Sequence, residues 1–417
     1  MRFHRHVTST RPFVVVLAVA AAITLAKGTA EIVLPPYLDG YGYSLSLIGL
    51  VTSLIAVLQL ASRLPVGAAY RADRAKRHFA LALVVFGLST SGFAFARGEV
   101  VAVAALSILH GFAFGSLGTL GLALAIDVTA GRRAGPSMAW YTMAISTGYA
   151  LGSLVGGSLA DVAGKPQTLA IAGVVPIVAT LGLVTLPPLA HVGAAPGASG
   201  LRALFTAGAR LDSRVWLAFT TVLFLNLIQD SVDTFFPVFA PTIGLSLAAV
   251  GLLRAFKSAA GTLVRFTAAV VLTAVDYRLV TPIAVIAASG ATALLPVSSS
   301  LALLAPAMIA IGLTRGLLRA TSAATIADLR AEGRQVGIAS GVYNAGLDIG
   351  GIAGPAVGGV VATAIGIGPM FQVVALASLV IWLAVALSTP ATRAAAGLSR
   401  ARDRGAVEGH TIRPIPK

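Results

Sequence analysis

The sequence predicts an all-α membrane protein with twelve transmembrane helices in two similar six-helix bundles. Three observations support this fold class. Hydrophobic residues make up 57% of the 417 residues, charged residues make up 11%, and the mean hydropathy is +0.90. Twelve apolar runs are long enough to cross a bilayer, which takes about 20 residues each. The second six runs repeat features of the first six at a constant distance along the chain.

The composition excludes a soluble protein, because soluble domains have roughly 25% charged residues to cover a water-exposed surface. The absence of cysteine excludes disulfides, thiolate metal sites and cysteine nucleophiles. The six histidines are far apart, without the spacing of metal ligands. No Gly-Lys-Ser/Thr phosphate loop occurs, so ATP is not the expected energy source. We therefore expect no metal, no cofactor and no enzymatic activity.

Two halves and two polar segments divide the chain. We predict an N-terminal half at 1–187, a cytoplasmic linker at 188–213, a C-terminal half at 214–389 and a basic, partly disordered tail at 390–417. Helices are expected, since barrel strands would be short segments of alternating polarity. The apolar runs lie at 12–35, 44–66, 78–97, 101–126, 135–160, 166–187, 214–238, 246–274, 279–299, 301–327, 336–364 and 367–389.

Lysine and arginine are concentrated on one side of this topology. Twelve spans place both termini on the same side, where the second loop alone has four basic residues between Arg71 and Arg77. The loops of the opposite side have Arg97 and Lys165. The positive-inside rule therefore predicts a multi-pass protein of the cell (inner) membrane with both termini cytoplasmic. This topology explains the net charge of +15 without nucleic acid, which we do not expect as a partner.

The two halves are related by an offset of 202 residues. Arginine, tyrosine and acidic residues are scarce inside spans, so their matches indicate a duplicated six-helix unit. Transporters built from parallel six-helix repeats bind their solute near mid-membrane between the halves. The matches are Glu31/Asp233, Pro35/Pro237, Gly49/Gly251, Arg63/Arg265, Tyr141/Tyr343, Gly148/Gly350, Gly152/Gly354, Gly156/Gly358 and Gly157/Gly359, and with a slip of one residue Gly111/Gly312, Gly115/Gly316 and Asp127/Asp328.

Three motifs make nearly the whole chain resemble the major facilitator superfamily. The second loop, with Gly67, Asp73-Arg74 and a basic pair, is similar to that family's loop 2–3 signature, although its Gly-to-Asp spacing is six instead of four. The fifth span has the glycine pattern of the family's exporters with Ser153 in place of proline, and the eleventh has the proline version at Pro355. Glu31-xxx-Pro35 resembles the acid-xxx-Pro pattern of drug/proton antiporters. The resemblance implies the major facilitator fold, transport and proton coupling.

Ionisable residues inside the spans are the candidates for function, because each costs at least about 2.5–3.5 kcal/mol to insert. A carboxylate in a cavity can bind and release a proton, and a cation there can bind an anionic solute group. The alternative is a set of structural ion pairs. For His110 the alternatives are titration and packing, of which we favour packing. We assign proton coupling to Glu31 or Asp233, followed by Asp230 and Asp348, and solute binding to Lys27, Arg254, Lys257, Arg315 and Asn344.

Two further sets of residues are predicted to have gating or structural roles. In the resembled family, charge clusters at the cytoplasmic ends of the helices hold the inner side shut in the outward-facing state, although topology alone would explain the arginines. The corresponding gate residues are Asp73, Arg74, Asp127, Arg132, Arg133, Asp328 and Arg334. Small residues at four-residue spacing let helices approach closely, and glycine also permits a hinge. This helix-packing set is Gly148, Gly152, Gly156, Gly157, Gly350, Gly354, Pro355, Gly358 and Gly359.

The function we predict is proton-coupled secondary transport, with export of a small anionic, zwitterionic or amphipathic organic solute by alternating access. The expected partners are that solute, protons and the lipid bilayer, and the protein is expected to be a monomer. One alternative is an importer or facilitator of a metabolite in the same superfamily. A more distant alternative is a membrane receptor or lipid-modifying protein on the same scaffold.

Overall fold

The structure, a computed structural model, describes residues 11–129, 134–186, 212–274, 277–331 and 336–388. Within these ranges the chain forms twelve α-helices and two short 3-10 helices, and no strand. The all-α prediction is therefore confirmed. The helices are α1 (Arg11–Asp39), α2 (Leu45–Ala68), α3 (Ala72–Phe95), α4 (Val100–Val128), α5 (Ala134–Ala163), α6 (Lys165–Val184), α7 (Ser213–Phe239), α8 (Leu247–Ala274), α9 (Tyr277–Leu294), α10 (Leu301–Ala331), α11 (Val336–Ile365) and α12 (Ile367–Ser388).

Eleven of these twelve helices of the described chain are long and apolar enough to span a membrane, and the exception is the Gly- and Ser-rich α5. Helices are favoured because each satisfies its backbone hydrogen bonds internally. The first helix continues beyond its predicted end, through Pro35 and Pro36 to Asp39. Proline is tolerated inside a membrane helix when neighbouring groups bind the freed carbonyls. Near the end of this helix, Lys165 Nζ of α6 and the Gly40 N–H both donate to the Pro36 carbonyl, at 2.9 and 3.3 Å.

The two halves, α1–α6 and α7–α12, are built in the same way. In the first half α5 packs on α1, and in the second α11 packs on α7. The same hydrogen bond joins both pairs at an offset of 202 residues, from Thr29 Oγ1 to the Gly152 carbonyl at 2.9 Å and from Ser231 Oγ to the Gly354 carbonyl at 2.8 Å. The two six-helix bundles predicted from the repeat are therefore confirmed as pseudo-symmetric units.

The two halves meet on one side of the molecule. We call the side where α1 begins and α12 ends the terminal side, and the opposite side the distal side. The halves pack through α5 against α8 and through α2 against α11. Glycines allow these contacts at the distal ends: Gly157 lies against the Leu247 carbonyl, and its repeat equivalent Gly359 lies against the Leu45 carbonyl.

A continuous apolar core seals the distal side. It includes buried side chains from both halves, such as Ile32 and Ile48 of the first half and Phe235, Val250 and Leu253 of the second. The predicted tail at 390–417, and all but the last two residues of the linker at 188–213, lie outside the described residues. The predicted segment boundaries stay a prediction.

Candidate functional site

A cavity of about 540 Å³ lies between the two halves. Four helices of each half line it, and they are equivalent in the repeat: α1 and α7, α2 and α8, α4 and α10, and α5 and α11. All nine residues predicted for proton coupling or solute binding line this one cavity. They are Glu31, Asp230, Asp233, Asp348, Lys27, Arg254, Lys257, Arg315 and Asn344.

An ion-pair network centred on Arg254 occupies the distal part of the cavity. Arg254 Nη2 lies 3.1 Å from Glu31 Oε2, and Arg254 Nε lies 3.5 Å from Asp233 Oδ1. Glu31 is also 3.5 Å from Lys27 one helical turn earlier, and Asp233 binds Lys257. Each carboxylate therefore lies between two cations, and Arg254 is shared by both. The Glu31–Arg254 pair joins the two halves, whereas Asp233 pairs inside the C-terminal half.

A second ion pair between the halves lies nearer the terminal side. Arg63 Nη1 of α2 donates to Asp348 Oδ1 of α11 at 2.9 Å. The Arg63 side chain is 45% exposed and the Asp348 side chain is 17% exposed, so water screens this pair more than the Arg254 network. Among the described residues, Asn344 donates to the Ser340 carbonyl one turn earlier on the same helix.

Two charged groups of the lining have no counter-ion. Within the part of the chain that the structure describes, Asp230 has neither an ion pair nor a hydrogen bond, although its side chain faces the cavity. Arg315 of α10 forms no ion pair with a described residue, and its buried Nε has no hydrogen-bond partner there. Arg315 is the cation that acts most strongly on Asp230.

Close helix packing places these charges together. The Cα of Gly312 lies against the Lys257 carbonyl, so that α10 approaches α8 closely and Arg315 follows one turn later. In the other half Gly28 lies against the Tyr149 carbonyl and Gly152 against the Leu25 carbonyl, which holds Lys27 and Glu31 beside α5. A side chain larger than hydrogen at these positions would force the backbones apart.

The predicted glycine set forms this packing on both sides of the repeat. Gly148, Gly152 and Gly156 of α5 contact α1, and Gly350, Gly354 and Gly358 of α11 contact α7. Gly157 and Gly359 instead contact the other half, as described above. The Pro355 carbonyl lies against Gly49, and the Ser153 carbonyl lies against Gly251, so proline and serine occupy equivalent places.

Sequence reasoning did not identify several polar residues of the lining. Tyr149 of α5 faces the cavity and interacts electrostatically with Glu31, Arg315, Asp230 and Arg254. Its position beside Gly148, next to the row of glycines on α5, could have identified it in the sequence as a lining residue. Gln59, Asn226 and Arg319 also line the cavity, and Asn226 Nδ2 donates to the Leu347 carbonyl at 2.7 Å.

His110 of α4 is packed among aromatic rings at the edge of the lining. It is 1% exposed, its ring centroid lies 4.7 Å from that of Phe86 and 5.7 Å from that of Phe93, and its Nδ1 lies 3.2 Å from Thr90 Oγ1. These contacts fit the packing interpretation. No group of three or more His, Cys, Asp or Glu residues that could bind a metal occurs among the described residues.

The predicted gate residues in the described part of the chain form their ion pairs and hydrogen bonds within the first half. Asp73 lies 3.3 Å from Arg71 and 3.9 Å from Arg74 in an exposed cluster at the start of α3. Asp127 accepts a hydrogen bond from the Tyr70 hydroxyl, and burial together with this bond raises the pKa of the Tyr70 phenol. Three of the remaining gate residues, Arg132, Arg133 and Arg334, lie outside the described residues, as does the side chain of Asp328 in α10.

Comparison with known proteins identifies the family and the fold. The family described as Major Facilitator Superfamily matches residues 16–328 of the chain. A variant of the nucleoside transporter NupG superposes with a TM-score of 0.76 at 17% identity, covering 91% of this chain and 99% of that one. A bacterial homologue of the human lysosomal transporter Spinster, in an inward-facing and unoccupied conformation, has a TM-score of 0.72 at 13% identity, covering 91% and 96%. No curated protein matches the sequence.

Proposed function

We propose that this chain, which belongs to the major facilitator superfamily, is a proton-coupled secondary transporter of a small organic solute with an anionic group. The observation that carries the proposal is the charge of the central cavity. Among the described residues, six cationic side chains and four carboxylates line it, a formal excess of two positive charges. The excess consists of intramembrane cations, each costly to insert, and it favours an anionic or zwitterionic solute. A volume of about 540 Å³ lies in the range of small-molecule sites.

Glu31 is the carboxylate best placed to couple protons to the conformational change. Its pair with Arg254 joins the two halves, so this contact must break when they separate on the distal side. Protonation would remove the negative charge of Glu31 and lower the cost of breaking the pair. Asp233 pairs with Arg254 and Lys257 inside one half, and its contacts can persist in both states. Asp230 has no partner in the described chain and is the second candidate for proton coupling. Asp348 forms an ion pair with Arg63.

Alternating access would use the contacts between the halves. The positive-inside topology assigns the terminal side to the cytoplasm, with the protein in the cell (inner) membrane. The cavity then lies beneath a sealed outer face, and the gate residues Asp73, Arg74 and Asp127 would meet the second half when the inner side closes. The solute binds in the cavity when it is open to one side of the membrane and leaves when it is open to the other. The protein works as a monomer.

Export is the direction we propose, supported by the exporter-like glycine patterns of α5 and α11.

Import by symport is a second candidate, and the ion pairs of the cavity favour it. Glu31 and Asp233 form ion pairs with the cations that an anionic solute would bind. Protonation of these carboxylates would free Arg254 and Lys257, so that a proton and an anion would bind together. Proton–anion symport runs inward when the outside is acidic.

Proteoliposomes with an imposed pH gradient test both candidates. Purified full-length protein is reconstituted, and uptake of a radiolabelled panel is measured with the gradient in each orientation, with benzoate, a dipeptide and a nucleoside as probes. The nucleoside is included because one similar structure is a nucleoside transporter. Gradient-driven flux that is lost in Glu31→Gln but retained in Asp39→Asn, an exposed distal carboxylate, supports proton coupling at Glu31. Intact gradient-driven flux in Glu31→Gln, Asp230→Asn and Asp233→Asn would refute the proton assignment.

A further inference from the structure

The cavity contains buried guanidinium nitrogens that have no hydrogen-bond partner among the described residues. Nη1 of Arg254 and Nε of Arg315 are among them. Arg254 is only 5% exposed, so its unpaired donor cannot be satisfied by bulk water. A buried charged donor without an acceptor is unfavourable, and an oxyanion that accepts from both groups would remove this cost.

Both arginines belong to the same part of the cavity. Each lies close enough to Asp233 and to Tyr149 to interact electrostatically with both. The contact of Gly312 with the Lys257 carbonyl draws α10 against α8, and Gly316 continues this contact against Gly261. The side chains of both arginines line the cavity beside this close helix contact.

The two arginines differ in how much of their charge is neutralised. Arg254 contacts two carboxylates, Glu31 and Asp233. Arg315 has an ion pair with no described residue, and Asp230, a carboxylate on which it acts electrostatically, is also unpaired in the described chain. Arg315 therefore provides the positive charge that is still available to a ligand, and Arg254 provides a positioned hydrogen-bond donor.

The part of the lining formed by α2 and α5 has little charge. These helices contribute the apolar Ile55, Ala56 and Ile145, Tyr149, and the neutral polar Thr52, Gln59, Ser146 and Ser153. The charged residue that they contribute among the described residues, Arg63, is paired with Asp348 nearer the terminal side. The cavity is thus cationic along α8 and α10 and largely uncharged along α2 and α5.

We infer that the solute is an organic anion whose carboxylate or phosphate group binds between Arg254 and Arg315, while its uncharged body lies against α2 and α5. Guanidinium groups suit both oxyanions because they donate parallel hydrogen bonds. The inference rests on the proposed transport function, since it names the solute class and its orientation in the same cavity. It makes Arg315 the residue that distinguishes anionic from neutral solutes.

Binding can be measured without transport, by isothermal titration calorimetry of the purified full-length protein in detergent. The probes are benzoate, hexanoate and phenyl phosphate, with benzamide and hexanamide as neutral analogues of the same shape. We expect each carboxylate to bind at least tenfold more tightly than its amide. Comparison of benzoate with phenyl phosphate identifies the preferred oxyanion. Equal affinity for anions and amides would overturn the inference.

Variants then locate the binding group. Arg315→Gln should weaken benzoate binding at least tenfold and change benzamide binding less than twofold, and Arg315→Lys should lose less affinity than Arg315→Gln. The control is Arg97→Gln, which removes an exposed cation outside the cavity, and it should change benzoate binding less than threefold. If Arg315→Gln does not fold, Arg315→Lys carries the test, because it should lower benzoate affinity more than Arg97→Lys does.

The outcomes separate this inference from the proposed function. Unchanged benzoate affinity in folded Arg315 variants, or an equal loss in the Arg97 control, would show that the anion is not bound at Arg315. Gradient-driven flux without any preference for anions would contradict the inference and leave the transporter proposal intact. Anion binding at Arg315 without flux in proteoliposomes would contradict transport alone.

Discussion

The carboxylate of Asp161, at the distal end of α5, caps α8 of the other half by accepting from the backbone N–H of Ala248 at 2.8 Å and of Leu247 at 3.2 Å. The repeat equivalent of Asp161 is Thr363, at the distal end of α11. Its Oγ1 accepts from the N–H of Ser46 in α2 at 2.9 Å. Each half thus caps a helix of the other, and we call these two contacts the distal caps. Opening the distal side must break both.

Loss of the Asp161 cap should favour the state that is open on the distal side. Removing an N-cap side chain costs about 0.5–2 kcal/mol, which corresponds to roughly a twofold to thirtyfold change in a two-state equilibrium. We expect Asp161→Ala to shift the population by this amount and Thr363→Val to shift it less, because a carboxylate accepts more strongly than a hydroxyl. Distances between spin labels at Val101→Cys and Val297→Cys, both exposed on the distal side of different halves, report the opening.

The chain is well suited to this measurement because it has no cysteine of its own. The control is Asp39→Ala, which removes an exposed distal carboxylate that forms no cap in the structure. It should leave the distance distribution unchanged. An Asp161→Ala distribution identical to that of the unmodified chain would mean that the cap does not hold the distal side shut.

The Arg63–Asp348 pair should contribute little to stability despite its good geometry. The arginine is 45% exposed, and exposed pairs typically contribute about 0–1 kcal/mol. In a double-mutant cycle with Arg63→Gln and Asp348→Asn, we expect a coupling energy below about 1 kcal/mol. Chemical denaturation in detergent provides the free energies. A coupling above about 3 kcal/mol, typical of buried pairs, would contradict this assignment.

The glycines that face another backbone should tolerate no side chain. A Cβ at Gly152 would overlap the Leu25 carbonyl of α1, so Gly152→Ala must push two helices apart, at a cost of about 1–3 kcal/mol. Gly118 of α4 has open space around it, and Gly118→Ala should be neutral or slightly stabilising because alanine is the better helix former. Thermal unfolding followed by tryptophan fluorescence compares the two. Equal melting temperatures would refute the packing role of Gly152.

Much of the fold could be predicted from the sequence because the bilayer restricts it. A spanning segment must be apolar and helical, so composition and run length indicate the helices. The 202-residue offset then predicts which helices are equivalent. The extension of α1 past Pro35 to Asp39 was not predictable from local pattern, because two consecutive prolines usually end a helix.

Most charged residues of the cavity lining were predictable from the sequence, but their contacts were not. Helical spacing predicts that Lys27 and Glu31 share a face, and they do pair. The contact of Glu31 with Arg254 depends on how the two halves sit against each other, which no local pattern specifies. The repeat equivalent of Asp161 is a threonine, so the change of residue type hides the shared capping role in the sequence.

A substitution of His110 can distinguish a role in packing from a role in proton transfer. Its ring lies between Phe86 and Phe93, and its partner Thr90 also donates to the Phe86 carbonyl at 2.7 Å. His110→Phe therefore keeps the aromatic packing and leaves the Thr90 hydroxyl satisfied, so the lost bond should cost only about 1 kcal/mol. In proteoliposomes we expect gradient-driven flux with an unaltered pH dependence, in contrast to Glu31→Gln. A folded His110→Phe protein that binds solute but no longer responds to the proton gradient would instead make His110 part of the proton pathway.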